Sequence, residues 1–176
     1  MTDIAVIGCG CHARWAVVPA ILNSGCFKLK TVADPNRASL DQIDVPGVSR
    51  YTDAAEMLAK EKPEAVFIPT PVETHAKLAV QALEADCHVC CEKPMAVNEK
   101  ECISMIDAAE KRGRILAIDF ENRYHPGYQQ VRRWIADGLV GIVHAVHIDS
   151  MWDGHKASGP LAARRKGFLD RNGCLD

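Results

Sequence analysis

Gly8, Gly10 and Ala13 are spaced as a chain must space small residues if it is to wrap a diphosphate. They belong to Gly8-Cys9-Gly10-Cys11-His12-Ala13, which follows a short apolar run and opens a helical pattern. A pyrophosphate needs a tight strand-to-helix turn, a residue without a side chain where the backbone meets the ligand, and a small residue where helix packs on strand. Gly8, Gly10 and Ala13 fit those three positions. The helix start then offers free amide hydrogens and a partial positive charge, with Cys11 and His12 in its first turn. His12 could lie over the pyrophosphate or have no special part. Asp34 closes the second apolar run, where an acidic residue takes the ribose hydroxyls of NAD. Asp34-Pro35-Asn36 also reads as a plain turn, since all three residues are favoured there for backbone reasons. Arg37 could pair with the 2′-phosphate of NADP, a group the Asp34 carboxylate repels, so the expected cofactor is NAD, with NADP as the alternative.

The chain has 8 cysteines. In a reducing compartment buried thiols behave as small hydrophobes, so disulfides are not expected. Cys87, His88 and Cys90, and separately Cys9, Cys11 and His12, raise the question of a metal. No second ligand pair follows at finger or ribbon spacing, and neighbours such as Cys90 and Cys91 on one strand point to opposite faces. No metal site is expected.

Strand-like and helix-like patterns alternate along the chain, as they do in βαβ units with a parallel sheet. Ile4 to Gly8, Leu29 to Asp34, Ala65 to Pro69, Cys87 to Cys91 and Ile115 to Phe120 read as buried strands, and Ile142 to Ser150 as a sixth. Ala76, Ala79, Val80 and Leu83 fall at helical spacing, as do Tyr128, Val131 and Ile135. Asp53 with Glu56 and Asn98 with Glu101 place a capping oxygen three residues ahead of a carboxylate, so both pairs predict helix starts. Lys111-Arg112-Gly113 and Asp137-Gly138 predict helix ends. Pro19 lies inside the first helical pattern and predicts a kink or restart. The expected fold is α/β: a Rossmann-type doubly wound parallel sheet over residues 1–121, followed over 122–176 by the beginning of an α+β domain, with 142–150 as its first strand.

A net charge of -2 and scattered basic residues give no reason to expect nucleic acid as partner. Arg132-Arg133 and Arg164-Arg165-Lys166 read as solvated surface. No apolar stretch approaches the roughly 18 residues that span a bilayer, and the first residues lack the pattern of a secretory signal. A soluble, cytoplasmic protein with no membrane partner is expected.

Thr70-Pro71-Val72-Glu73-Thr74-His75, then Ala82-Leu83-Glu84-Ala85, then His88-Val89-Cys90-Cys91-Glu92-Lys93-Pro94 carry a resemblance to the Gfo/Idh/MocA oxidoreductases. Asn122-Arg123-Tyr124-His125-Pro126 and Gly138-Leu139-Val140-Gly141 are similar to that family's passage from cofactor domain to substrate domain, so the similarity runs over essentially the whole chain. It implies an NAD(P)-dependent oxidoreductase acting on a sugar, polyol or related hydroxylated compound, and a homo-oligomer formed through a second, mainly antiparallel domain.

In an open parallel sheet ligands bind beyond the carboxyl ends of the strands, where Thr70, Pro71 and Glu92 to Pro94 would lie. Oxidising a secondary alcohol sends a hydride to the cofactor and a proton to a base, and a lysine desolvated beside a cationic ring can take that proton. Lys93 is the candidate. Glu92 would orient it or bond the cofactor, and Pro94 would fix the turn. His75 is read as facing the nicotinamide side or as a plain surface residue. Asn172-Gly173-Cys174-Leu175-Asp176 resembles the family's Gly-rich Asp motif, which makes Asp176 a catalytic candidate whose histidine partner would follow it. A chain of these 176 residues is therefore expected to bind cofactor without turnover. The alternative is a short non-catalytic dinucleotide-binding module, a sensor or an accessory subunit.

Overall fold

Short β-branched and aliphatic runs, each closed by a turn residue, become the strands of one parallel sheet with both faces meant for burial. In the computed structural model, which describes residues 1–149, they are β1 (Thr2–Ile7), β2 (Phe27–Ala33), β3 (Ser49–Tyr51), β4 (Ala65–Ile68), β5 (His88–Glu92) and β6 (Leu116–Asp119). The spatial order is β3-β2-β1-β4-β5-β6, and every pairing is parallel. Connections leave β1 toward β2 on one side, and the chain returns to β4 on the other. That reversal opens a crevice at the carboxyl ends of β1 and β4. Between the strands run a helical stretch with a π-helical turn (Ala13–Val17) continuing into α1 (Val18–Asn23), α2 (Arg37–Leu40), α3 (Ala54–Glu61), α4 (Val72–Glu84) and α5 (Glu99–Arg112).

Alternation along the strands sends side chains to two cores. Ala5, Ile7, Val66, Ile68, Val89 and Cys91 pack beneath α3, α4 and α5, where Met57, Leu83 and Met105 are fully buried. Ile4, Val6, Leu29 and Val32 pack on the other face with Val17, Val18 and Ile21. Cys90 and Cys91 accordingly part company, Cys91 into the first core and Cys90 into a cavity on the opposite face.

Local chemistry explains the boundaries. Asp53 accepts a hydrogen bond from the Glu56 N–H at 2.7 Å and opens α3, and Asn98 accepts from the Glu101 N–H at 2.9 Å and opens α5. Gly113 closes α5 at φ 60, a left-handed conformation that a residue without Cβ adopts freely. Pro19 stands in the first turn of α1, just where the π turn ends, so the helix restarts around it.

Two expectations about strands are corrected. Ile142 to Ser150 is not a strand over its described residues 142–149, which have no ladder partner among the described residues; Ser150 lies outside them. The sixth strand of the sheet is instead β3, three residues with an arginine at the centre, paired with Thr31 to Ala33. Arg50 of β3 reaches back over the connection that precedes it. Its Nε donates to the Leu40 carbonyl at 3.3 Å, and its two terminal nitrogens donate to Val48 at 3.2 Å and Ile43 at 2.6 Å.

The chain divides into two compact units after Tyr124. In the second, His125 caps α6 (Pro126–Ala136) by accepting the Gly127 N–H at 3.2 Å, and Tyr128, Val131 and Ile135 fall on this helix as their spacing predicts. Among the described residues no helix is long and apolar enough to cross a membrane.

Candidate active site at the strand tips

The turn after β1 is built by close approach. Gly8 has φ +102, and a Cβ there would stand 2.6 Å from Cγ2 of Thr70 and 3.4 Å from the Pro69 carbonyl oxygen. Only glycine satisfies both the conformation and the space. The Gly8 N–H donates to the Ala33 carbonyl at 2.7 Å, which carries the β1–β2 ladder into the turn. One residue on, the Cys9 N–H donates to Oδ2 of Asp34 at 2.7 Å, while Oδ1 accepts from the Asn36 N–H at 2.8 Å. The two readings of Asp34 therefore coexist: it organises its own turn, and its carboxylate is aimed by the glycine turn. Each oxygen keeps a further lone pair for a ligand hydroxyl. Asn36 caps α2 through the Ala38 N–H at 3.0 Å, leaving Arg37 exposed as the first residue of that helix. Ala13 is fully buried against the sheet, and Gly10 and Cys11 are half-buried. The Arg14 Nε fixes the Gly10 carbonyl at 3.3 Å, and its Nη2 lies 3.5 Å from the Cys11 thiol.

Thr70 and Pro71 follow β4. The Thr74 hydroxyl lies 2.8 Å from both the Thr70 hydroxyl and the Pro71 carbonyl, fastening the start of α4. The reading of His75 as a plain surface residue is corrected. The residue is buried, not on the surface, and its ring nitrogens face the Pro94 carbonyl at 2.9 Å and the Thr70 carbonyl at 2.8 Å. Both polar atoms of the ring are occupied in tying the segment after β4 to the segment after β5.

Glu92 ends β5. Its Oε2 accepts the Lys93 N–H at 3.0 Å, and its Oε1 lies 2.5 Å from Nε2 of His12. His12 thus has a placed partner across the crevice, although its own side chain is about half exposed (53%) against 12% for Glu92. Lys93 is exposed in this structure. Asp119, the last residue of β6, stands in register beside Glu92. Its carboxyl is pushed above the usual aspartate range by burial first, then by the negative charges of Glu92 and Glu121.

Asp119 was not singled out from the sequence. The available signal was an acidic residue at the carboxyl end of an apolar strand, the same signal that identified Asp34.

His12, Glu92, Lys93 and Asp119 all line a cavity of about 910 Å³, whose floor is apolar and includes Phe67, Val89 and Cys90. His12, Glu92 and Asp119 bring three ligand-capable atoms within 4.8 Å of one another. The cysteines have a different character. Burial pushes the thiols of Cys9, Cys90 and Cys91 up to about 12 and that of Cys87 up to about 11, which disfavours the thiolates that metals bind. Asp176 lies outside the described residues.

Residues 2–120 match the Gfo/Idh/MocA oxidoreductase family, described as an NAD-binding Rossmann fold. D-glucoside 3-dehydrogenase of Escherichia coli (strain K12) is 31% identical over 143 residues, which is 80% of this chain and 41% of that protein. Inositol 2-dehydrogenase of Salmonella typhimurium is 36% identical over 123 residues, 68% of this chain and 36% of that protein. Among solved structures, scyllo-inositol dehydrogenase from Lactobacillus casei with NAD(H) and scyllo-inositol superposes with a TM-score of 0.74 at 22% identity, covering 80% of this chain and 42% of that one. The WlbA dehydrogenase from Bordetella pertussis with NADH and UDP-GlcNAcA gives 0.76 at 27% identity, covering 80% and 43%. The chain spans less than half the length of these relatives. Six parallel strands in Rossmann order, a glycine turn pressed against the tip of β4, and a family match over residues 2–120 lead to one assignment: the chain belongs to the Gfo/Idh/MocA oxidoreductases and carries their NAD-binding domain.

Proposed function

We propose that this chain holds a nicotinamide dinucleotide across the tips of β1, β2, β4 and β5 and serves hydride exchange with a sugar, polyol or related hydroxylated compound. The observation that carries the reading is the joint between Gly8, Cys9 and Asp34: a turn with no room for a side chain, hydrogen-bonded to a carboxylate at the next strand. The cradle fits a diphosphate, because backbone can approach it where a Cβ would clash. Gly10, Cys11 and His12 border the diphosphate, and Ala13 lets the helix pack close behind it. Asp34 accepts from the adenosine ribose hydroxyls, which favours NAD; Arg37, exposed one turn away, is the group that could meet the extra phosphate of NADP.

When bound, the nicotinamide supplies the hydride acceptor or donor. Thr70, Pro71 and Glu92 border its end of the crevice, and His75 acts behind them by holding two of those segments together. Lys93 Nζ, in its neutral form, takes the proton of the substrate hydroxyl as the carbon-bound hydrogen leaves with its electron pair. Asp176 is the proposed partner of Lys93 at the substrate, and by family resemblance a histidine beyond it completes the set. A polypeptide of residues 1–176 is accordingly expected to bind cofactor without oxidising a polyol.

Titration of the chain with NADH and with NADPH, followed by nicotinamide fluorescence, tests the first step. Saturable binding with NADH the tighter ligand is expected, and no saturable change with either cofactor sinks the proposal.

A further inference from the structure

Glu92 and Asp119 are register partners at the ends of adjacent parallel strands, so their side chains leave the sheet on the same side. Two ionised carboxylates placed together repel, and neither has a hydrogen to offer the other. Yet the Asp119 and Glu92 carboxyls come together with the His12 ring, one polar atom of each lying within 4.8 Å of the others. Glu92 is already engaged by His12 at one oxygen and by the Lys93 N–H at the other, so it stands as an acceptor among donors. A hydrogen shared between the two carboxyls would therefore come from Asp119. We propose that Asp119 is a positioning residue, whose protonated carboxyl donates to Glu92 and, with His12, fixes the Glu92-Lys93 turn at the cofactor crevice. Only its binding readout rests on the dinucleotide reading.

The surroundings favour that proton. Burial and the negative charges of Glu92 and Glu121 hold it on Asp119, and His12 opposes them. Cys90, two positions before β5 ends at Glu92, keeps a neutral thiol at about 12 and brings no competing charge, and Lys93 lines the same cavity. A shared cation is a weaker account of the cluster, because His12 and the Lys93 N–H already engage the two Glu92 oxygens. The sign follows: an acid that ionises less readily in the assembled site favours that site at low pH, and the advantage is lost as pH rises through its ionisation.

The test compares wild type, Asp119→Asn and Asp119→Leu. NADH affinity is measured from mildly acidic to mildly alkaline pH, with carboxyl ¹³C NMR on the same proteins. Wild-type affinity should fall several-fold with rising pH. Asp119→Asn, a permanent donor that cannot ionise, should keep the acidic-pH affinity throughout, and Asp119→Leu should bind weakly at every pH. Identical pH profiles for wild type and Asp119→Asn overturn the proposal while leaving cofactor binding intact. Independently of NADH, the carboxyl resonance lost in Asp119→Asn should titrate above the other aspartates, and an ordinary midpoint overturns the proposal as well. Absence of NADH binding by wild type at every pH, with the raised midpoint observed, counts against the dinucleotide reading instead.

Discussion

The two banks of the crevice are made of different material. On the side of β1 and β2, the Gly8 turn and Asp34 are joined through backbone N–H groups, and close packing against Thr70 leaves the turn no freedom. On the side of β5 and β6, Glu92 and Asp119 meet each other, and His12 from across the crevice, through side chains, every one of them titratable. Backbone hydrogens do not come and go with pH, whereas those of carboxyl and imidazole groups do. The first bank is suited to gripping an unchanging diphosphate and ribose, the second to a place where protons move.

The strongest way to break this contrast is Lys93→Met in the full enzyme. Turnover should fall by about 10²–10⁴, as expected for loss of a proton-transfer group, with NADH affinity altered far less. If affinity falls as steeply as rate, the division of labour is wrong. Gly8→Ala should do the reverse, weakening or abolishing NADH binding. Its left-handed backbone costs about 1–2 kcal/mol and the clash with Thr70 about 1–3 kcal/mol more, readable in thermal unfolding. Gly8→Ala combined with Thr70→Ser removes the clashing methyl and should recover only the steric share. Asp34→Ala should weaken NADH more than NADPH and, by stripping the Cys9 N–H of its partner, destabilise by about 1–3 kcal/mol. A variant that binds both cofactors as before would remove Asp34 from the site. The smallest effect serves as a reference: Lys60→Ala breaks an exposed i,i+4 pair with Glu56 and should shift stability by no more than about 0.5 kcal/mol, with both banks unaffected.

Much of this was legible in residue order. Five of the strands, the caps at Asp53 and Asn98, and the Gly8-to-Ala13 turn follow from patterns that act within a few residues, so a single sequence displays them. What escaped depends on partners far along the chain. Tyr51 and its two predecessors form β3 because Thr31 to Ala33 offer a free ladder, not because Ser49 and Arg50 favour extension. Residues 142–149 have a strand-like composition but, among the described residues, no neighbour that turns it into a strand. At the site, spacing identifies Gly8, Asp34 and Lys93, yet it cannot say that His12 faces Glu92 across the crevice or that Asp119 stands beside it. Nor does it show that His75 spends both nitrogens on backbone carbonyls.

The Arg50 guanidinium, gathering three carbonyls from the connection between α2 and β3, has a consequence for how this protein can vary. Those three bonds depend on the path of residues 40–48, whose course is also held by the buried side chains of Leu40, Ile43 and Val48, so only the exposed positions between them are free to drift in composition. The anchoring position itself has no such latitude. A lysine retains the positive charge but lacks the planar fork, and would leave carbonyls of this connection without their donor. A substitution that looks mild on paper should therefore be among the less tolerated in this part of the chain, while the exposed Asp41, Gln42 and Asp44 accept far cruder changes.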